Sequence, residues 1–86
     1  MPVAAQQNIT AYPINAISVD ALKSDSVDLP RWMTVQVKGA AGNVKFTPAG
    51  GGTALTLACS LGETISCRVK RVWSTGTTAT GLIGYY

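Results

Sequence analysis

Histidine is absent from this chain, and side-chain carboxylates are scarce: Asp20, Asp25, Asp28 and Glu63 are the only four in 86 residues. Without imidazole there is no histidine acid–base catalysis and no histidine-bearing metal site. Three of the four carboxylates fall in one polar stretch, Asp20 to Asp28, which reads as a solvated turn; calcium needs six or more oxygen ligands. Gly50-Gly51-Gly52 lacks the Gly-Lys-Ser/Thr ending and following helix of a phosphate loop, so it reads as a hairpin turn. Serine and threonine are plentiful, yet none has an evident base beside it. The chain is expected to be no enzyme and to need neither cofactor nor metal.

Charge is low overall. Only 13% of residues are charged while 47% are hydrophobic, against about 25% charged in an ordinary soluble domain. Much of the surface must therefore be Ala, Thr, Ser, Gly and apolar groups, a composition suited to burial against other subunits. The formal net charge of +3 is unevenly spread, with Lys23 against three aspartates before residue 31 and six cations against Glu63 from residue 31 on. A nucleic-acid binder clusters its cations and interleaves aromatics for stacking. Here the cations are spread over three candidate strands and only Trp73 lies near Arg68, Lys70 and Arg71, so no nucleic-acid partner is expected. No segment approaches 18 apolar residues, and the N-terminus lacks a basic region followed by an apolar run, so neither a membrane partner nor a signal peptide is expected. The reading is a chain made in the cytoplasm.

Eighty-six residues with nine glycines make one small domain with a thin margin of stability. Residues 1–19 carry no charged side chain and have no strong period, and Pro13 bars a central helix or strand position. They read as an extended arm, or else as an edge strand of the domain. Residues 20–86 read as the β domain. Within it, Asp20 to Pro30 is a polar loop. Met33, Val35 and Val37 then alternate with Thr34, Gln36 and Lys38, which makes a half-buried strand. Gly39 to Gly42 turns the chain, Val44 and Phe46 point inward from a second strand, and Pro48 to Gly52 turns it again. Thr53 to Ala58 is a third strand with Leu55 and Leu57 on one face. Ile65, Cys67 and Val69 alternate with Ser66, Arg68 and Lys70 in a fourth, whose pattern slips at Arg71 as a bulge, or an exit from the sheet, would make it. After the turn-like run Ser74 to Thr80, residues Leu82 to Tyr86 form a last apolar strand whose terminal tyrosines are expected to pack rather than fray. Strands of this spacing without a helix predict an all-β fold, a small antiparallel β-sandwich or barrel with an extended N-terminal arm.

The segments RVKRVWSTGTTATGLIGYY (Arg68 to Tyr86), DLP (Asp28 to Pro30) and AGNVKFT (Ala41 to Thr47) carry a resemblance. They resemble a family of small virion proteins of tailed phages that includes the head-spike base protein of the gene transfer agent, a phage-derived particle. Its shared pattern is an R-V-K-R-V core, a T-G-T-T-A-T turn and an aromatic C-terminus, covering residues 28–86 here. Cys59 and Cys67 depart from it, standing where small or apolar residues are expected. The motif is one of core and turn. The resemblance implies a structural virion protein on the phage head, either a capsid decoration (cement) subunit or a head-spike base, bound to the major capsid protein, with a spike or fibre protein as a further partner. The alternative is a small β-module of a tail or fibre that binds host glycan, for which Trp32, Trp73, Tyr85 and Tyr86 are the candidate aromatics.

A marginal core and a charge-poor surface predict a closed homo-oligomer, a trimer or a pentamer. The expected contacts with subunits or capsid are Ile9, Tyr12, Ile14 and Ile17 from the arm, together with Trp73, Leu82, Tyr85 and Tyr86. Arg68, Lys70 and Arg71 are expected to meet carboxylates, either on the capsid or in the Asp20–Asp28 loop of a neighbour. If Ser60 to Glu63 is a tight turn between paired strands, Cys59 and Cys67 sit about 10 Å out of register, at ~3.4 Å per residue, too far for an intrachain disulfide. Buried thiols or a bond between subunits are the remaining options.

Overall fold

A computed structural model describes residues 13–86. The domain is all-β, with two antiparallel three-stranded sheets facing each other across one core. The strands are β1 (Ala16–Ser18), β2 (Thr34–Ala40), β3 (Gly42–Pro48), β4 (Leu55–Cys59), β5 (Val69–Val72) and β6 (Thr80–Tyr85), with a single 3-10 turn at Asp20–Leu22. One sheet has the order β1-β6-β2 and the other β4-β3-β5.

Period-2 alternation sets the core. Met33, Val35 and Val37 point inward and are wholly buried, as are Val44 and Phe46 on β3, as the pattern predicts. Leu82 and Gly84 face them from β6, and Val69 and Val72 from β5. Full burial of a Val, Leu or Phe side chain contributes about 1.5–3 kcal/mol, and in so small a domain these few residues carry most of the favourable term.

Connectivity departs from a run of hairpins. The β3–β4 pair is a hairpin, but β2 and β3, separated only by Ala41, lie in different sheets, as do β5 and β6. The expected strand over 63–70 is split in the same way. Ser60 to Glu63 does form a tight turn, with Glu63 N–H donating to the Ser60 carbonyl at 3.0 Å. The chain that follows, however, pairs with β2 rather than β4: Val37 N–H donates to Glu63 O and Ile65 N–H to Val35 O. It bends at Ser66–Cys67 and only then enters the other sheet as β5. Ile65 and Val69 thus reach the core from opposite sheets, while Cys67 sits exposed on the bend between them. The slip at Arg71 is a bulge: Thr47 faces Arg71 but Pro48 faces Val69, leaving Lys70 as the extra residue.

The arm needs a correction over its last residues. Ile17 pairs with Gly84 across β1–β6, Val19 is buried, and the N–H groups of Ile14 and Asn15 both donate to the Tyr86 carbonyl. Residues 14–19 are therefore bound to their own domain, because β6 offers them a free edge. Ile9 and Tyr12 lie outside the described residues.

Candidate functional site

Side chains on the outer faces and edges sort the expected contact residues into three groups. The first surrounds Trp73. Its indole N–H donates to Thr47 Oγ1 at 3.1 Å, and its ring lies under the Lys45 ammonium at 4.5 Å and the Arg71 guanidinium at 5.4 Å. Trp73 therefore covers the outer face of β3 and is held by two cations. Arg71 also clamps the acidic loop. It bonds Asp28 at 2.8 Å and donates to the carbonyls of Asp25 and Ser26. The expectation that Arg71 meets a neighbour's Asp20–Asp28 loop is overturned, because that loop lies along β5 of its own chain through Ser24 N–H to Val72 O and Leu29 N–H to Lys70 O.

The other carboxylates are engaged as well. Asp20 accepts the N–H groups of Gly81 and Leu82 at 3.0 and 3.1 Å. Asp25 accepts the Thr75 hydroxyl and N–H, and these bonds, the hydroxyl's above all, hold its carboxyl below the usual value of 3.8. Glu63 accepts the Ser60 N–H at 2.8 Å. All four side-chain carboxylates of the chain thus bind groups of the chain itself.

The second group lies where the two sheets meet, at the start of β2. Met33 and Val69 exchange backbone hydrogen bonds of 3.2 and 2.8 Å, which sets the loop of residues 30–32 beside Arg68, while Thr34 faces Tyr85 on the other side of β2. The result is a surface cleft of about 490 Å³ lined by Pro30, Arg31, Trp32, Arg68 and Tyr86. The Arg31 guanidinium stands 5.3 Å over the Tyr86 ring, and Trp32 is 58% exposed. Neither arginine has a carboxylate within ion-pair distance, Arg71–Asp28 being the one such pair among the described residues. Arg68 was expected at a contact surface; Arg31 and Trp32 were missed as its companions because they lie 36 or more residues away in sequence. Tyr85 points elsewhere, its hydroxyl donating to Gln36 Oε1 at 2.7 Å.

The third group is apolar. Leu55 and Leu57 lie directly opposite Phe46 and Val44 and so share the core-facing side of their sheet, yet they are 50% and 42% exposed. β4 is the edge strand of its sheet and packs chiefly on β3, and of this face only Cys59, at its far end, is buried. Leu61, 62% exposed, follows on the next turn. Leu82, expected at a subunit contact, is instead wholly inside its own core. Ile14 is exposed, Ile17 packs on the core and Lys70 is half-buried. Cys59 is buried, and burial, with Glu63 nearby, pushes its thiol pKa up; Cys67 is exposed, and both thiols are free. Cys67 is thus the one thiol open to solvent.

Among the described residues no group of three or more metal-ligating side chains occurs, and no helix is long and apolar enough to cross a membrane.

No protein-family model and no curated protein matches the chain. Among solved structures it is similar to a chain in the capsid of the native GTA (gene transfer agent) particle, computed with C5 symmetry, at a TM-score of 0.73 and 29% identity over 86% of this chain and 83% of that one.

Proposed function

We propose that this chain is a structural protein of a phage-like particle, a head decoration subunit or spike base seated on the capsid. The observation that carries the reading is the likeness to a chain of the GTA capsid, which spans nearly the whole of both chains. The surface agrees with it: no described buried side-chain polar atom lacks a hydrogen-bond partner, and the exposed residues include an apolar edge and a small basic cleft. A second copy is the occupant that suits β4, since Leu55 to Cys59 contains no charge that would need a counterion on burial. Residues 1–12, uncharged throughout, serve as the arm that reaches the neighbouring subunit or the capsid protein. The glycan-binding alternative has less support, because Trp73 and Tyr85 are engaged within the domain and leave only Trp32 and Tyr86 on one face.

The test is to image particles made with and without this chain and to weigh the purified protein by native mass spectrometry. Density for the domain at the head surface, with a mass that is a whole multiple of the 8.9 kDa chain, is the expected result. Density confined to the tail, or a chain absent from the particle, refutes the proposal.

A further inference from the structure

We infer that residues 1–12 of one copy add as a strand to the open β4 edge of the next copy, so that subunits are joined by exchanged arms. This rests on the oligomer proposed above, and not on the place of that oligomer in a virion.

β4 is built to be covered. Its sequence, LTLAC, has no charge and no proline, and its register with β3 runs without a bulge. Charge, proline and bulges are the devices that ordinarily blunt an edge strand. The direction of its backbone groups follows from β3. Asn43 N–H donates to Thr78 Oγ1 and Lys45 N–H to Thr77 Oγ1, while their carbonyls accept from Thr78, Ala79 and Trp73. Both residues thus turn their backbone groups away from β4. Strand backbone alternates, so Gly42, Val44 and Phe46 bond the residues opposite them, Cys59, Leu57 and Leu55. The N–H and C=O groups of Thr56 and Ala58 therefore point out of the sheet edge, where no other described residue bonds them. Beside them Leu55 and Leu57 stand half exposed. The occupant that fits is an extended strand with apolar side chains at alternate positions.

Residues 1–12 meet that description. They carry no charged side chain. As a strand they set Val3, Ala5, Ile9 and Ala11 on one face, with Gln7 the exception, and Gln6, Asn8 and Thr10 on the other. They join the domain where the N–H groups of Ile14 and Asn15 both donate to the Tyr86 carbonyl. Pro13 has no N–H to carry that ladder further along β6. The junction lies in the β1-β6-β2 sheet, whereas β4 edges the other one. Twelve extended residues span about 40 Å, against about 17 Å for the five of β4. An arm can cross a subunit boundary and still pair along the whole strand. Pairing of β4 with a second β4 is the rival. That contact is isologous and stops at two copies, whereas an arm and an edge are unlike surfaces and close the ring of the expected trimer or pentamer.

The test mixes two variants of the purified chain. Deleting residues 2–12 leaves an edge without an arm, and Leu55→Asp with Leu57→Asp leaves an arm without a usable edge. Native mass spectrometry should show each alone as a monomer and the two together as a one-to-one pair. Hydrogen exchange reads the backbone directly. In the wild type the amides of Thr56 and Ala58 should exchange at least about tenfold more slowly than in the deletion variant. That of Leu57, bonded to β3 in both, should change less. Should the aspartate variant misfold by circular dichroism, Thr56→Pro replaces it, because an outward N–H is dispensable to the domain and needed by the added strand. A deletion variant that keeps the wild-type mass overturns the inference, since the edges then pair with each other or the subunits meet elsewhere. A mixture that stays monomeric overturns it too, as does a wild type that is itself a monomer. If the mixture pairs but the chain is absent from particles, the virion role alone falls.

Discussion

At the scale of single residues, the notable feature is how few charges there are and how each carboxylate is used. Asp25 is bonded by the hydroxyl and N–H of Thr75, which stabilise the ionised form and lower its pKa in the folded state. The unfolded chain therefore binds the proton more readily. The stability contributed by Asp25 is fully present above its ordinary value of 3.8 and is lost as pH falls through the lower, folded value. Asp25→Asn is expected to lower the urea midpoint at neutral pH and to flatten the acid limb of the stability curve below about pH 4. Titrating both proteins down to about pH 2 checks this, and parallel acid limbs would show that the Thr75 bonds contribute nothing. Trp73 makes a similar point about reading residues singly. Trp73 was expected at a subunit contact, whereas its ring is already covered by Lys45 and Arg71.

At the scale of elements, the β2–β6 pair is the seam on which the fold depends. Its register shifts by one residue between Val37 and Ala40, and there Gly81 takes a φ of +66° with its Cα facing the Gly39 backbone. A Cβ on Gly81 would meet the Gly39 nitrogen at 2.4 Å, so both the turn and the close approach require glycine. The two amides next to this bulge are held by Asp20, which also fixes the 3-10 turn against β6. Asp20→Ala removes both charge-assisted bonds and is expected to cost about 2 kcal/mol, lowering Tm by roughly 10 °C in a domain this small. Asp20→Asn, which keeps one acceptor, should lose less. Calorimetry of the two variants decides, and an unchanged Tm for Asp20→Ala would mean that water replaces the carboxylate at no cost.

At the scale of the whole molecule, the sandwich is covered on two of its four outer edges. The 62–65 segment lies along β2 and the 24–29 loop along β5, whereas β1 and β4 stay open among the described residues. The open β4 edge carries the exposed leucines, and an apolar edge strand invites pairing with another chain. Leu55→Asp with Leu57→Asp is expected to convert the proposed oligomer to monomer with the fold intact. The side chains are already half in water, so the loss to the isolated domain should stay at about 1.5–3 kcal/mol for the pair. Light scattering with circular dichroism reads both effects. An unchanged mass would place the subunit contact elsewhere, on β1 or the arm.

Alternation alone determined a good part of this protein. The inward set of Met33, Val35, Val37, Val44 and Phe46, the all-β class and the bulge near Arg71 were legible because a strand's side-chain period is a local property of the backbone. The absence of histidine was legible for a simpler reason, since composition needs no geometry. Partnership between strands was not legible. Which strand crosses to the other sheet at Ala41 or at Ser66–Cys67 depends on how far the opposite sheet extends, and that is a sum over contacts distant in sequence. The same cause exposed Leu55 and Leu57, buried Leu82, and tied Arg71 to Asp28 across 43 residues. It also brought Arg31 and Trp32 to Arg68 and Tyr86. The pattern says that a residue faces inward, but only the folded chain decides whether anything lies there to meet it.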